Sequence, residues 1–251
     1  MREFKPATDL LFQRDSYLRE FEATVVAVDP ERRAVAFDRT AFYTGGGGQP
    51  ADVGLVTALD GDASWSVVDG SKDGALAWSV LGGETPLPAV GDRVRGEIDW
   101  ERRYRLMRTH TALHVLCGVV FRDYGSLVTG GNMGPERARM DFEMDSADFT
   151  PDRVAEIERR ANAEIAASHD VRVAILPRAE AFAIPDLIRT KINLLPEGIA
   201  EIRTVEIVGL DVQADGGTHV ANTREVVGLR VVGTRSKGKA NKRLEIELVD
   251  A

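Results

Sequence analysis

The chain has 251 residues, 43% hydrophobic and 29% charged, an ordinary globular composition with enough length for two modest domains. No apolar run approaches the roughly 20 residues of a membrane span, and MREFKPATDLLF lacks the apolar core of a signal peptide, so a cytoplasmic protein with no membrane partner is expected. The net charge of −8 weighs against indiscriminate nucleic-acid binding, and the single Cys117 cannot form an internal disulfide.

Residues 1–99 read as mostly β. The runs FEATVVAVD and RAVAFD are separated by Pro30-Glu31-Arg32, a hairpin-like break. The stretch TAFYTGGGGQPADVG follows, and its glycines rule out regular structure over Gly45–Gly48. Alternating segments at Gly54–Ala58, Trp65–Asp69 and Leu76–Val80 predict a small barrel or sandwich, and a Pro/Gly-rich connection leads into a last strand, Arg93–Asp99. A domain boundary is expected near Asp99 or Trp100, giving domains 1–99 and 100–251.

The second half opens with a helix through Tyr104–Asp123, with an apolar stripe of Leu106, Leu113, Leu116 and Val120. VTGGNMG reads as a glycine-rich lead into the strand-like ARMDFEM. Thr150 and Pro151 form a helix start, with Thr as N-cap and Pro at the first position, and this helix is expected to reach about Ser168. Its inward residues are Val154, Ile157, Ala161 and Ile165. Strands are expected at Val171–Leu176, Ile202–Val208, Glu225–Gly233 and Arg243–Val249, with a short helix near Ala179–Ala183 and no clear pattern over Pro185–Leu195. Helices and strands without a βαβ repeat make this half α+β, so the whole chain is mixed α and β.

The chemistry concentrates in RRYRLMRTHTALHVLC, which sets His110 and His114 four residues apart on one helical face, where two imidazoles can share a metal ion. Thr111 stands where a zinc peptidase would carry its catalytic Glu, which disfavours that activity. Far along the chain, QADGGTH places Asp215 four residues before His219, with a Gly-Gly turn between them. Carboxylate and imidazole suit zinc; the alternative is an Asp that hydrogen-bonds its own turn. Cys117 reads as a small buried residue. Two basic groups, Arg102–Arg108 and the six Lys or Arg from Arg230 to Arg243, flank these motifs and suggest an anionic substrate.

TAFYTGGGGQPADVG, RRYRLMRTHTALHVL, ARMDFE and DVQADGGTHVANTREV, in that order over residues 17–249, resemble the motifs of the alanyl-tRNA synthetase editing domain and its free-standing AlaX-type relatives. The resemblance implies a small β-barrel followed by an α+β domain like the second additional domain of threonyl- and alanyl-tRNA synthetases. It implies one zinc ion held by His110, His114, Asp215 and His219, with Asp215 at a position commonly Cys in the family, a harder donor than sulfur. It places Thr40 and Gln49 at the amino acid being edited, with the Thr40 hydroxyl pairing with a serine side chain. Gly45, Gly46, Gly47 and Gly48 would give the aminoacyl end close access to backbone. Asp141 and Gln213 are further candidates for supporting contacts to ligands or substrate.

The expectation is therefore a hydrolase acting in trans on Ser-tRNA(Ala), and on Gly-tRNA(Ala), with the terminal adenosine lying over the metal between the domains and the basic groups on tRNA phosphates. The rivals are a non-catalytic tRNA- or metal-binding module of the same fold, which Asp215 allows, and a deacylase for another mischarged tRNA.

Overall fold

A computed structural model describes residues 7–193, 195, 198–236, 238 and 240–250. In chain order the elements are β1 (Asp9–Leu10), β2 (Glu20–Asp29), β3 (Ala34–Phe37), β4 (Arg39–Thr40), β5 (Gly54–Ala58), β6 (Ser64–Asp73), β7 (Leu76–Leu81), β8 (Arg93–Ile98) and α1 (Trp100–Tyr124). They continue with β9 (Val128–Met133), β10 (Arg137–Glu143), α2 (Pro151–Ala166), β11 (Val171–Pro177), α3 (Arg178–Ala181), β12 (Glu201–Ile207), β13 (Asp211–Ala214), β14 (Leu229–Ser236) and β15 (Asn241–Leu248). The chain divides into two compact units, Met1–Tyr104 and Arg105–Ala251. No helix among the described residues is long and apolar enough to cross a membrane.

The first unit is a closed barrel in the order β2-β3-β7-β6-β5-β8. Alternation builds it: Phe21, Ala23 and Val25 of β2 and Val94 and Ile98 of β8 point inward, joined by Val56, Trp65, Val67 and Leu81. The outward Glu22 meets Arg93 at 3.4 Å on the neighbouring strand. Such exposed pairs contribute under about 1 kcal/mol, so the apolar interior carries the barrel. Gly96 makes room for it, because a Cβ there would lie 2.4 Å from the Phe21 ring. The first turn of α1 belongs to this unit. Arg103 donates through Nε to both carboxylate oxygens of Asp52 at 2.9 Å and through Nη1 to Ser16 O at 3.0 Å, while Arg102 donates to Ala51 O at 2.7 Å.

The second unit contains a four-stranded sheet, β14-β15-β10-β9, and a three-stranded sheet, β11-β12-β13. From Thr109 to Val120 every residue of α1 is buried, so burial extends beyond the apolar stripe to all faces of the helix there. Thr150 caps α2 by accepting the Arg153 amide at 3.3 Å, and Ile157, Ala161 and Ile165 are buried beneath it. Asn162 then pins α2 to β14, donating to Leu229 O and accepting from Leu229 N, both at 2.9 Å.

Two expectations change. VTGGNM is a full strand, β9, paired antiparallel with β10; the absent side chains of Gly130 and Gly131 do not prevent backbone pairing. Glu225–Val227 is not strand. Glu225 folds back to accept the amides of Ala221 and Asn222, while Asn222 accepts from Arg224, closing a capping box on a short 3-10 turn. The strand starts only at Leu229, after Val227 at φ 70° has broken the extended path. The patternless segment after Pro185 is stitched to β9 by Val128, which donates to Arg189 O and accepts from Lys191 N, both at 2.8 Å.

Candidate metal centre

His110 and His114 project from consecutive turns of α1 and are buried. Asp215 follows directly on β13, where the chain must turn. Its amide donates to Arg203 O at 3.1 Å, and Arg203 Nη1 donates to Asp215 O at 2.9 Å. Gly217 N donates to Asp215 Oδ1 at 2.6 Å, so the self-bonded turn exists. That same turn returns His219 against the carboxylate, with Nε2 at 3.2 Å from Oδ1.

The other carboxylate oxygen faces the helix. Asp215 Oδ2 lies 3.5 Å from His110 Nε2 and 3.9 Å from His114 Nε2. One nitrogen or oxygen from each of His110, His114, Asp215 and His219 falls within 4.8 Å of the others, a group that could hold a metal ion. Electrostatics favour the protonation states such a ligand set needs. Burial brings His110 down to about 4, aided by His114 and Arg203 and opposed by Asp215. Burial, with the neighbouring imidazoles His110 and His114, also holds His219 well below its ordinary value. Burial opposes ionisation of Asp215, but His110, His114 and His219 outweigh it and keep the carboxyl well below the usual range. Neutral imidazoles beside a carboxylate fit a divalent cation with mixed nitrogen and oxygen donors.

A second layer, drawn from residues of the same motifs, supports the rings. Thr111 Oγ1 lies 3.1 Å from His219 Nδ1 and accepts Val220 N at 3.3 Å. One ring nitrogen of His110 is hydrogen-bonded to the Thr218 backbone. Asp211, at the head of β13, has its Oδ2 3.8 Å from His114 Nδ1. Asp211 opens the quoted DVQADGGTHV motif without an assigned role, and its partner Arg189 lies in the patternless segment after Pro185. Burial of an acid and an arginine in the same apolar helix environment is the signal that finds them, and only the fold reveals it.

The comparisons with known proteins bear on this group. Residues 202–245 match the family model for the threonyl and alanyl tRNA synthetase second additional domain, the segment that carries Asp215 and His219. Over 97% of its length the chain is 40% identical to the alanyl-tRNA editing protein AlaX-M of Methanosarcina acetivorans, all of which is covered. The chain belongs to the AlaX-M alanyl-tRNA editing family. The AlaX-M of Saccharolobus solfataricus is 37% identical over 94% of this chain and 97% of its own. An alanine–tRNA ligase of Ignicoccus hospitalis is 41% identical over 92% of this chain but only 25% of its own length.

The remaining expected residues lie on several other elements of the chain. Thr40 and Gln49 are buried in the barrel unit. The Thr40 hydroxyl accepts Phe42 N at 3.1 Å. Gly45 to Gly48 all have positive φ, which only glycine adopts without strain in succession; Gly46 and Gln49 exchange two backbone bonds of 3.0 and 2.9 Å across the loop. Asp141 sits on β10 in a fork with Arg243, at 2.7 and 2.9 Å. Gln213 donates to Asp211 Oδ2 at 2.6 Å, one step behind His114. Cys117 stays outside the four-residue group, a buried thiol pushed up by burial and by Asp211.

The arginine and lysine groups read as phosphate contacts are partly structural. Arg103 is fully buried on Asp52, and Arg108 donates to Val226 O and Val249 O at 3.1 Å. Lys242 is buried, donating to Ser146, Ser236 and Gly238 O. Lys237 and Lys239 lie outside the described residues, and Arg230 and Arg235 remain exposed.

Proposed function

We propose that this chain edits alanyl-tRNA by hydrolysing the aminoacyl ester of tRNA(Ala) mischarged with serine, and with glycine, in a zinc-dependent reaction in the cytoplasm. The observation that carries the reading is the convergence of His110, His114, Asp215 and His219 into one buried group, in a chain matched along nearly its whole length by AlaX-M proteins.

His110, His114, His219 and Asp215 would hold the zinc, and a bound zinc supplies Lewis acidity toward the ester or its attacking water. The chain's own groups do the rest. Thr40 reads the serine hydroxyl, and a hydroxyl partner left unpaired by alanine gives stronger discrimination than one extra methylene. The Gly45–Gly48 backbone lets the aminoacyl end approach closely, and Gln49 supplies a further polar contact. The exposed Arg230 and Arg235 take phosphates.

His114→Ala tests the reading directly. The variant should lose bound zinc and most release of serine from Ser-tRNA(Ala). Full hydrolysis without metal would contradict it.

A further inference from the structure

Three imidazoles surround Asp215, and each has a second ring nitrogen to settle. His219 has the Thr111 hydroxyl, and His110 has the Thr218 backbone. His114 Nδ1 is buried with no hydrogen-bond partner among the described residues. The polar atom it faces is Asp211 Oδ2 at 3.8 Å, on a side chain with no exposed surface.

Asp211 is held from several sides. Arg189 Nε donates to its Oδ1 at 3.0 Å, and Gln213 Nε2 donates to its Oδ2 at 2.6 Å. The Arg189 guanidinium in turn lies over the Phe121 ring of α1, 3.8 Å from its centroid. Gly118, one turn after His114, is what lets Asp211 come so close to the helix. A Cβ there would stand 3.0 Å from both Asp211 Cβ and Leu210 Cγ. A carboxylate oxygen accepts more than one hydrogen bond, so Oδ2 retains capacity beyond Gln213.

We infer that Asp211 is the positioning residue for His114: it holds the ring proton on Nδ1 and leaves the Nε2 lone pair turned toward Asp215 and a divalent cation. The inference rests on the metal-centre reading. Its physical basis is that a buried carboxylate attracts an N–H and repels a bare nitrogen lone pair at this separation. A ring movement of about 1 Å brings the pair to hydrogen-bond length. Carboxylates behind metal-bound imidazoles fix both tautomer and ring orientation, and losing one typically costs roughly 10–100-fold in metal affinity.

The first test needs no variant. Long-range proton–nitrogen spectra of the histidines, in protein stripped of metal and in protein loaded with Zn2+, should show the His114 proton on Nδ1 in both. A proton on Nε2 in the stripped protein overturns the inference. Zinc affinity by competition with a chromophoric chelator is the second measurement. Asp211→Asn should weaken it 10–100-fold. Gly118→Ala, a milder change that displaces Asp211 by a few tenths of an ångström, should weaken it severalfold with the fold intact. Wild-type zinc affinity in both variants refutes the role of Asp211 alone. Failure of the wild-type protein to bind zinc refutes the metal-centre reading itself, a distinguishable result.

Discussion

The Thr111 hydroxyl lies 3.1 Å from Nδ1 of His219 and accepts the Val220 amide at 3.3 Å, joining α1 to the chain just past the Gly-Gly turn. For His219 to present Nε2 to a cation, Nδ1 must carry the proton, and Thr111 is its acceptor. Thr111→Val keeps the shape and removes the oxygen, leaving two buried donors unpaired. The variant should unfold about 1–3 kcal/mol more readily and bind zinc at least ~10-fold more weakly. Thermal unfolding and chelator competition check both, and unchanged zinc affinity would remove Thr111 from the support of the site.

Arg103 makes a prediction of the opposite kind, structural without being functional. Its guanidinium is wholly buried, shared among Asp52, Ala41 O and Ser16 O. Arg103→Leu leaves the Asp52 charge without its cation and should cost about 3–5 kcal/mol. The salt dependence of tRNA binding by the folded variant should not change. A slope reduced by about one unit would mean that Arg103 contacts a phosphate.

Much of the architecture follows from local pattern, because the deciding forces are local. Alternation in β2, β5, β7 and β8 reflects a barrel with one face in and one out, and Thr150-Pro151 starts α2 through its own cap. The histidine pair needs only helical spacing. What escaped reading depends on partners far away in sequence. Asp211 and Arg189 meet 22 residues apart, and Arg189 lies in a segment without periodicity. Arg103 looks like its neighbours Arg102 and Arg105 until the helix rotates it inward onto Asp52. The capping box at Asn222–Glu225 was locally encoded, as Asn followed three residues later by Glu, but the apolar run after it favoured a strand reading.

The depressed His110 gives a pH dependence for the metal-depleted protein. Its folded value is about 4, against about 6.5 for an unfolded histidine. The unfolded chain therefore takes up a proton that the folded chain refuses. The stabilisation is fully present above about pH 6.5 and is lost as pH falls toward 4, on the order of 3 kcal/mol. His219 is shifted in the same direction. Denaturant midpoints should fall across this window, and His110→Gln should flatten the fall. A wild-type midpoint constant from pH 7 to pH 4.5 would contradict the burial argument.

The proposed role of Thr40 predicts a difference between serine and glycine substrates. The hydroxyl accepts the Phe42 amide at 3.1 Å and has capacity for a second partner. Thr40→Val should lower hydrolysis of Ser-tRNA(Ala) about 10-fold more than that of Gly-tRNA(Ala), since glycine offers no hydroxyl to pair. Thr40→Ser, which keeps the hydroxyl, should retain hydrolysis of Ser-tRNA(Ala). Equal losses on both substrates would reduce Thr40 to a turn residue.

The most direct measurement is serine release from Ser-tRNA(Ala) by protein stripped of metal, before and after one equivalent of Zn2+ is returned. The four-residue group predicts almost no release by the stripped protein and recovery at about one equivalent. Full release by metal-free protein, or none with zinc bound, would contradict a metal-dependent deacylase.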